Sequence, residues 1–133
     1  MSRYDKYDSK MSGFRAFLAA DWISTDLERV VGVGLNSSGL LVKGAGQTGV
    51  IGVLCLTRII KAGREPVDVM KRGEIVEFDK VQKPNIAFAT AAPGIKLYAD
   101  VTTGVLTTTA TSNIYVGHTV EAGRLIVSFR DGV

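Results

Sequence analysis

The fold class is decided by residues 94–110, which read GIKLYADVTTGVLTTTA. From Ile95 to Asp100 apolar and polar side chains alternate, which is the period of a strand with one buried face. Residues 101–104 have the composition of a tight turn, and a run rich in β-branched residues follows up to Ala110. Two such runs joined by a short turn predict a β-hairpin.

Short strands and turns continue on both sides of this hairpin. Strands are predicted at residues 27–33, 40–43, 49–57, 67–69, 74–79, 114–116 and 125–130. A bend is predicted at Gly117-His118, and a short helix is a second option for residues 13–22. About nine short strands with frequent turn signals predict an all-β domain over residues 27–133, folded as a small compact barrel or sandwich.

Composition supports one β-rich domain. The chain has 133 residues, of which 46% are hydrophobic, with 15 glycines and only three prolines. Its net charge of +3 arises in residues 31–83, which contain eight basic and five acidic residues. The longest basic run is Lys71-Arg72, so the charge gives little support for a nucleic-acid partner and fits an acidic protein surface equally well.

The sequence contains few residues that could form a disulfide, bind a metal ion or act in catalysis. The single cysteine, Cys55, excludes an internal disulfide and a zinc site built from cysteines. The single histidine, His118, excludes metal sites that need two imidazoles. We therefore predict that the protein is not an enzyme and has no catalytic residue, no metal site and no cofactor.

Two further patterns have plain structural interpretations. Residues 44–49 read GAGQTG and match the dinucleotide-binding pattern, but the β-branched residues 50–54 follow where a helix is required. We interpret them as a glycine-rich turn. The carboxylates Asp68, Glu74, Glu77 and Asp79 are interleaved with lysines and an arginine, which is typical of a solvated outer strand face.

No targeting or membrane segment is predicted. The N-terminus mixes acidic with basic residues, and the apolar run at residues 16–20 is too short for a signal peptide. The longest apolar run, residues 49–56, is far shorter than a membrane span. We expect a protein that is synthesised in a cytoplasm and does not bind a membrane.

The first 26 residues differ in composition from the rest. They hold five of the ten aromatic residues, and residues 3–8 read RYDKYD, in which charges alternate with tyrosines. A short segment cannot bury these rings on itself, so we predict an extended N-terminal docking arm over residues 1–26. The predicted partner-binding residues are Arg3, Tyr4, Tyr7, Phe14, Arg15, Phe17 and Trp22. Deletion of residues 1–24 is then expected to leave the β-domain folded.

The order of the later segments resembles a known family. Residues 49–53 (GVIGV) precede residues 62–69 (AGREPVDV) and 73–76 (GEIV), and the hairpin segments 94–100 and 104–107 follow. Residues 114–117 (IYVG) and 122–127 (AGRLIV) close the pattern. Over about residues 30–130 this resembles the head decoration proteins of tailed bacteriophages, which are small β-rich proteins that cement the outside of the capsid.

The resemblance implies a structural protein of the virion. Members of that family sit on the capsid exterior as homotrimers, bind the major capsid protein and stabilise the assembled shell by bridging its subunits. They often use an N-terminal arm that adds a strand to the shell protein, and here the arm would end near Ser24. The arm is longer and more aromatic than is typical, so a neighbouring decoration subunit is a second docking partner for it.

Two other functional classes remain open. The first is a basic β-barrel that binds nucleic acid, for which affinity would fall steeply with salt concentration. The second is a small β-barrel enzyme with an active site shared between subunits, which requires polar side chains that converge in a pocket.

Overall fold

The computed structural model describes residues 14–27, 29–77, 93–121 and 124–129. In chain order the strands are β1 (Phe14–Phe17), β2 (Val31–Leu35), β3 (Leu41–Lys43), β4 (Gly52–Leu54), β5 (Pro66–Val69), β6 (Arg72–Glu77), β7 (Lys96–Asp100), β8 (Leu106–Thr107), β9 (Asn113–Glu121) and β10 (Arg124–Ser128). The described residues also form one short 3-10 helix, Ser24–Asp26. The all-β class predicted from the sequence is confirmed.

Five strands close into a ring, here called the N-terminal barrel. β3, β2 and β4 form one antiparallel sheet, and β1 pairs with β5. Val53 in β4 and Met70 after β5 exchange two backbone hydrogen bonds of 2.9 Å, which join β4 to β5. Leu18 after β1 forms a parallel bridge with Leu41 in β3, and the Ala19 N–H donates to the Leu41 carbonyl at 2.9 Å. β1 is therefore a strand of the barrel wall.

The barrel encloses its own apolar core. The buried side chains of this core are Leu18, Trp22, Val31, Val33, Leu41, Leu54, Ile60, Val67 and Val69. Leu18 and Trp22 are only 2% and 3% exposed. The structure thus differs from the arm expected over residues 1–26, because residues 14–26 belong to the barrel. Residues 1–13 lie outside the described residues, and a docking role for them stays a prediction.

The other strands form the C-terminal sheet, with the antiparallel order β6-β10-β9-β7-β8. The predicted hairpin is confirmed, since β7 pairs with β8 through Tyr98 with Thr107 and Ala99 with Leu106. The inner face of this sheet packs against the outside of the N-terminal barrel. The buried residues of this second core are Val30, Val50, Val53, Leu97, Ala99, Leu106, Val116, Leu125, Val127 and Phe129.

β2 lies between the two cores and is buried on both faces. This position explains why the strand contains a glycine, Gly32. The Gly32 N–H donates to the Gly104 carbonyl at 2.7 Å, and a Cβ atom at Gly32 would lie 2.6 Å from the Ala99 Cβ. Because no real Cβ contact is that short, glycine allows the two halves of the molecule to approach.

The bend predicted at Gly117-His118 is wrong, because β9 continues through both residues. In the pairing of β7 with β9, Leu97 lies opposite Gly117 and Tyr98 lies opposite Tyr115, so Val116 is the extra residue of a β-bulge. A side chain at Gly117 would overlap the backbone of β10. The glycine is therefore required by a close approach of strands and not by a turn.

Candidate docking surface

The predicted docking residues that the structure describes fall into two groups. Phe14, Arg15 and Phe17 lie in β1, where alternate side chains face the barrel core and the outside. Phe14 packs against the barrel core, whereas Arg15 and Phe17 point outward. The Arg15 guanidinium forms an exposed ion pair of 2.6 Å with Asp68, the residue opposite it in β5. Arg3, Tyr4 and Tyr7 lie outside the described residues.

Trp22 is in a different position from the one expected. Its indole is buried in the chain's own core, and its Nε1 donates to the Asp26 carbonyl at 3.2 Å. The Trp22 backbone pairs with Ile60 through hydrogen bonds in both directions. A side chain held in this way is not available to a partner, so Trp22 stabilises the fold and is not a docking anchor.

An ion pair whose carboxylate is buried fastens the segment that contains Trp22. The Lys43 ammonium lies 2.5 Å from Asp26 Oδ1 and 5.1 Å from the centroid of the Trp22 ring. Asp26 is only 4% exposed, and its other carboxylate oxygen accepts the Ile23 N–H at 3.1 Å. Asp26 thus has partners on both oxygens, as a buried carboxylate needs. This cluster fixes the segment after β1 on β3.

Asp21 makes a second attachment on the surface. Its carboxylate accepts the Ala62 N–H at 2.8 Å and pairs with the Lys61 ammonium at 3.2 Å. These two contacts hold the pKa of Asp21 below its ordinary value, with the Ala62 hydrogen bond as the larger cause. Residues 19–27 are therefore tied to the loop after Ile60 as well as to β3.

This fastened segment carries exposed apolar side chains. Ile23 and Ile59 are 49% and 54% exposed, and Phe17 is 41% exposed. Trp22 and Ile60 form an isolated antiparallel bridge and are both buried, and their chain neighbours Ile23 and Ile59 are exposed. We call Phe17, Ile23 and Ile59 the apolar set. Rigid backbone with exposed aliphatic side chains is typical of a surface that binds another protein.

Beside the apolar set lies an open cleft of about 430 Å³, here called the bowl. One wall is formed by residues 55–58, which continue from β4, and the other by residues 65–68. The Arg58 guanidinium spans the two walls with two hydrogen bonds to the Glu65 carboxylate, at 2.8 Å and 2.7 Å. This pairing raises the pKa of Arg58 and lowers that of Glu65.

The single histidine and the single cysteine lie in different elements, His118 in β9 and Cys55 after β4. His118 Nδ1 lies 3.3 Å from the Tyr115 hydroxyl, and the Tyr115 ring packs edge-on against Tyr98 with centroids 5.8 Å apart. Cys55 is partly buried against the second core. In the part of the chain that the structure describes, no group of three or more histidine, cysteine or carboxylate side chains is placed to hold a metal ion.

The glycine-rich residues 44–49 form a loop, as the sequence predicted. The Gly44 N–H donates to the Gly32 carbonyl and the Ala45 N–H donates to the Val101 carbonyl, at 2.9 Å and 2.8 Å. The backbone amides that would hold a phosphate in a dinucleotide site are therefore used between strands. Among the predicted acidic residues, Asp68 pairs with Arg15, and Asp79 lies outside the described residues.

Comparison with known proteins identifies a solved structure with the same fold. A solved structure from Mycobacterium phage Patience superposes with a TM-score of 0.68 and 20% sequence identity, over 97% of this chain and 96% of that one. This chain shares its fold with that protein. No family model and no curated protein matches the sequence. Over the ranges that the structure describes, no helix is long and apolar enough to cross a membrane.

The strand in residues 14–18 and the exposure of Ile23 and Ile59 were not predicted from the sequence. A signal for the strand exists, because Phe14, Ala16 and Leu18 alternate with Arg15 and face the barrel core. The outward Phe17 hides this alternation, since it is apolar on the solvent side. Ile23 carries no such signal, because its exposure depends on the pairing of Trp22 with the distant Ile60.

Proposed function

We propose that the protein is a structural component of a tailed-phage virion, which binds the outside of the assembled capsid and stabilises it. The observation that carries the proposal is the fold shared with a phage protein over nearly the full length of both chains. The resemblance of residues 30–130 to head decoration proteins supports the same function. The partner is then the major capsid protein, and the decorating unit is a homotrimer.

The apolar set is the attachment surface in this proposal. Ile23 and Ile59 are each about half exposed, so a partner that covers them gains on the order of 1 kcal/mol for each side chain. The segment that carries Ile23 is held by the Asp26–Lys43 ion pair and by the contacts of Asp21, so little further ordering is needed on binding. Arg3, Tyr4 and Tyr7 extend this surface if the N-terminal segment also reaches the shell.

Stabilisation follows from linkage. A protein that binds the assembled shell and not its separated subunits shifts the equilibrium toward the assembled shell. A trimer offers three copies of the same surface, so contacts of modest individual affinity become a durable attachment.

The surface charges favour this proposal over nucleic-acid binding. Three of the basic residues that create the positive charge of residues 31–83 are already paired with carboxylates: Lys43 with Asp26, Arg58 with Glu65, and Lys61 with Asp21. A phosphate backbone would have to displace these carboxylates, which weakens the salt-dependent binding expected of a nucleic-acid protein.

The test is co-sedimentation with capsids that lack the protein, at moderate salt concentration. The double substitution Ile23→Asp with Ile59→Asp is expected to weaken binding at least tenfold, because it places two charges in a desolvated contact. Ile95→Asp is the matched control, since Ile95 is 38% exposed and lies beside β7. Wild-type binding by the double variant would exclude the apolar set as the attachment surface, and failure of the unmodified protein to sediment would overturn the proposed function.

A further inference from the structure

The bowl exists because an antiparallel ladder stops early. Val53 and Met70 pair in a register that, if continued, sets Thr57 opposite Pro66 and Arg58 opposite Glu65. Pro66 has no N–H and cannot continue the ladder. The two walls separate beyond Met70, and the Arg58–Glu65 ion pair links them at their far end.

The separated wall retains the hydrogen-bonding geometry of a strand. Along a strand, successive residues direct their N–H and C=O groups to opposite edges. Met70 directs both groups toward Val53, so Asp68, two residues earlier, directs its own toward the bowl. Val67 and Val69 direct theirs toward β1. A partner in extended conformation can therefore pair with the Asp68 backbone, as in β-strand addition.

The charges around the bowl are mixed. Arg15 with Asp68 and Arg58 with Glu65 place two cations and two anions around a volume of about 430 Å³. A segment in which both charge signs alternate complements such a rim better than a uniformly acidic or basic one. Residues 3–8 of this chain have that pattern, RYDKYD, and their two tyrosines supply rings for the apolar side chains of the bowl.

The position of the N-terminal segment favours a neighbouring copy as its source. The described structure starts at Phe14, one residue before Arg15 in the wall of the bowl. β1 runs antiparallel to β5, so from Arg15 to Phe14 the chain heads toward Val69 and Met70, the end at which the ladder is closed. To enter its own bowl the segment would have to reverse and cross β5, which a segment from a second copy need not do.

We propose that the bowl is a docking site for residues 1–13 of a second copy of this chain, which bind in extended conformation against β5. Each copy then gives one segment and receives one. This is a heterologous contact that closes into a ring when the rotation between copies allows it, and a three-fold ring is the smallest such assembly beyond a dimer. The inference concerns contacts between copies and holds whether or not the shell partner proposed above is correct.

The experiment measures self-association of the full-length protein by sedimentation equilibrium, in the absence of any capsid. Arg58→Glu opposes Glu65 with a second carboxylate and is expected to weaken association at least tenfold. Arg64→Glu is the matched control, because it makes the same charge change on an exposed neighbour that does not line the bowl. A free peptide of residues 1–13 is expected to compete with the native segment and dissociate the assembly.

A second variant changes the docking segment and leaves the residues of the bowl unchanged, so that a loss of association cannot be due to a damaged bowl. Tyr4→Ala combined with Tyr7→Ala leaves every described residue unchanged and is expected to weaken association to a similar extent. A protein that stays monomeric at all concentrations would overturn the proposal and favour an occupant from the same chain. Monomers whose capsid binding depends on Arg58 would also overturn it, in favour of a segment of the shell protein. Equal association by the Arg58→Glu and Arg64→Glu variants would exclude the bowl.

Discussion

The N-terminal barrel and the C-terminal sheet are built from similar strands but are held together differently. In the C-terminal sheet, β7 and β8 are neighbours in sequence, and Asp100 organises the turn between them by accepting the N–H groups of Thr102 and Thr103 at 2.8 Å. In the barrel, closure depends on Leu18 meeting Leu41 and on Val53 meeting Met70, which are contacts between residues far apart in the chain.

The difference shows that aromatic and charged residues near the N-terminus can stabilise the fold instead of binding a partner. Aromatic and charged residues near a chain terminus suggest a tail that binds a partner. In this molecule Trp22, Asp26 and Lys43 instead hold the barrel wall together, and the exposed apolar side chains are those of Ile23 and Ile59.

The largest expected effect comes from deletion of residues 1–24. This removes β1, Leu18 and Trp22, and the lost burial amounts to more than about 5 kcal/mol, which is comparable to the whole stability of a small domain. We expect a protein that does not fold, the opposite of the sequence-based expectation. Deletion of residues 1–12, which keeps β1, is the control and is expected to unfold in a cooperative transition. Both are measured by circular dichroism, and a cooperative transition in the shorter protein would show that the barrel does not need β1.

A smaller effect separates Trp22 from Phe17. Trp22→Ala is expected to lower the free energy of unfolding by about 3–5 kcal/mol, because it empties a buried site, whereas Phe17→Ala costs less than about 1 kcal/mol because the ring is 41% exposed. Urea titrations measure both. Trp22 is the only tryptophan, so its fluorescence in the isolated wild-type protein provides an independent test. Emission typical of a solvated indole, without any partner present, would contradict its burial.

The smallest expected effect compares Asp21 in the barrel with Asp100 in the hairpin. Backbone N–H groups lower the pKa of both carboxyls in the folded protein, that of Ala62 for Asp21 and those of Thr103 and Thr102 for Asp100. Each contribution to stability is present above the unfolded value of 3.8 and is lost as the pH falls through the folded-state value. Replacement of either residue by asparagine is expected to flatten the acid limb of a plot of stability against pH.

At neutral pH the Asp21→Asn variant is expected to lose more stability than Asp100→Asn. Asp21 joins segments about 40 residues apart, whereas the contacts of Asp100 span two or three residues and form in part in the unfolded chain. Chemical denaturation at pH 7 measures the difference. Equal losses would show that the attachment of residues 19–27 does not rest on Asp21.

Sequence-based prediction succeeded where one face of a strand is buried and the other is exposed, and failed where close approaches or contacts with distant segments decide the structure. The hairpin at residues 94–110 was predictable because one face of the C-terminal sheet is buried and the other is not, so Leu97 and Ala99 alternate visibly with Lys96 and Tyr98. β2 gave no such alternation, since two cores bury both of its faces. The bulge at Val116 was read as a bend, because a glycine required by a close approach looks the same in sequence as a glycine required by a turn.

The sequence by itself determined the all-β class, the hairpin and the glycine-rich loop at residues 44–49. These features depend on the alternation of apolar and polar residues along a strand and on the residue types in a turn, and both can be read from residues that are neighbours in the sequence. Only the tertiary structure decided that residues 14–26 belong to the barrel, that Trp22 is buried and Ile23 exposed, and that a bowl opens beside β5. Each of these depends on which distant segment pairs with which, as Trp22 does with Ile60 and Val53 does with Met70, and a pairing between distant segments has no period of its own in the sequence.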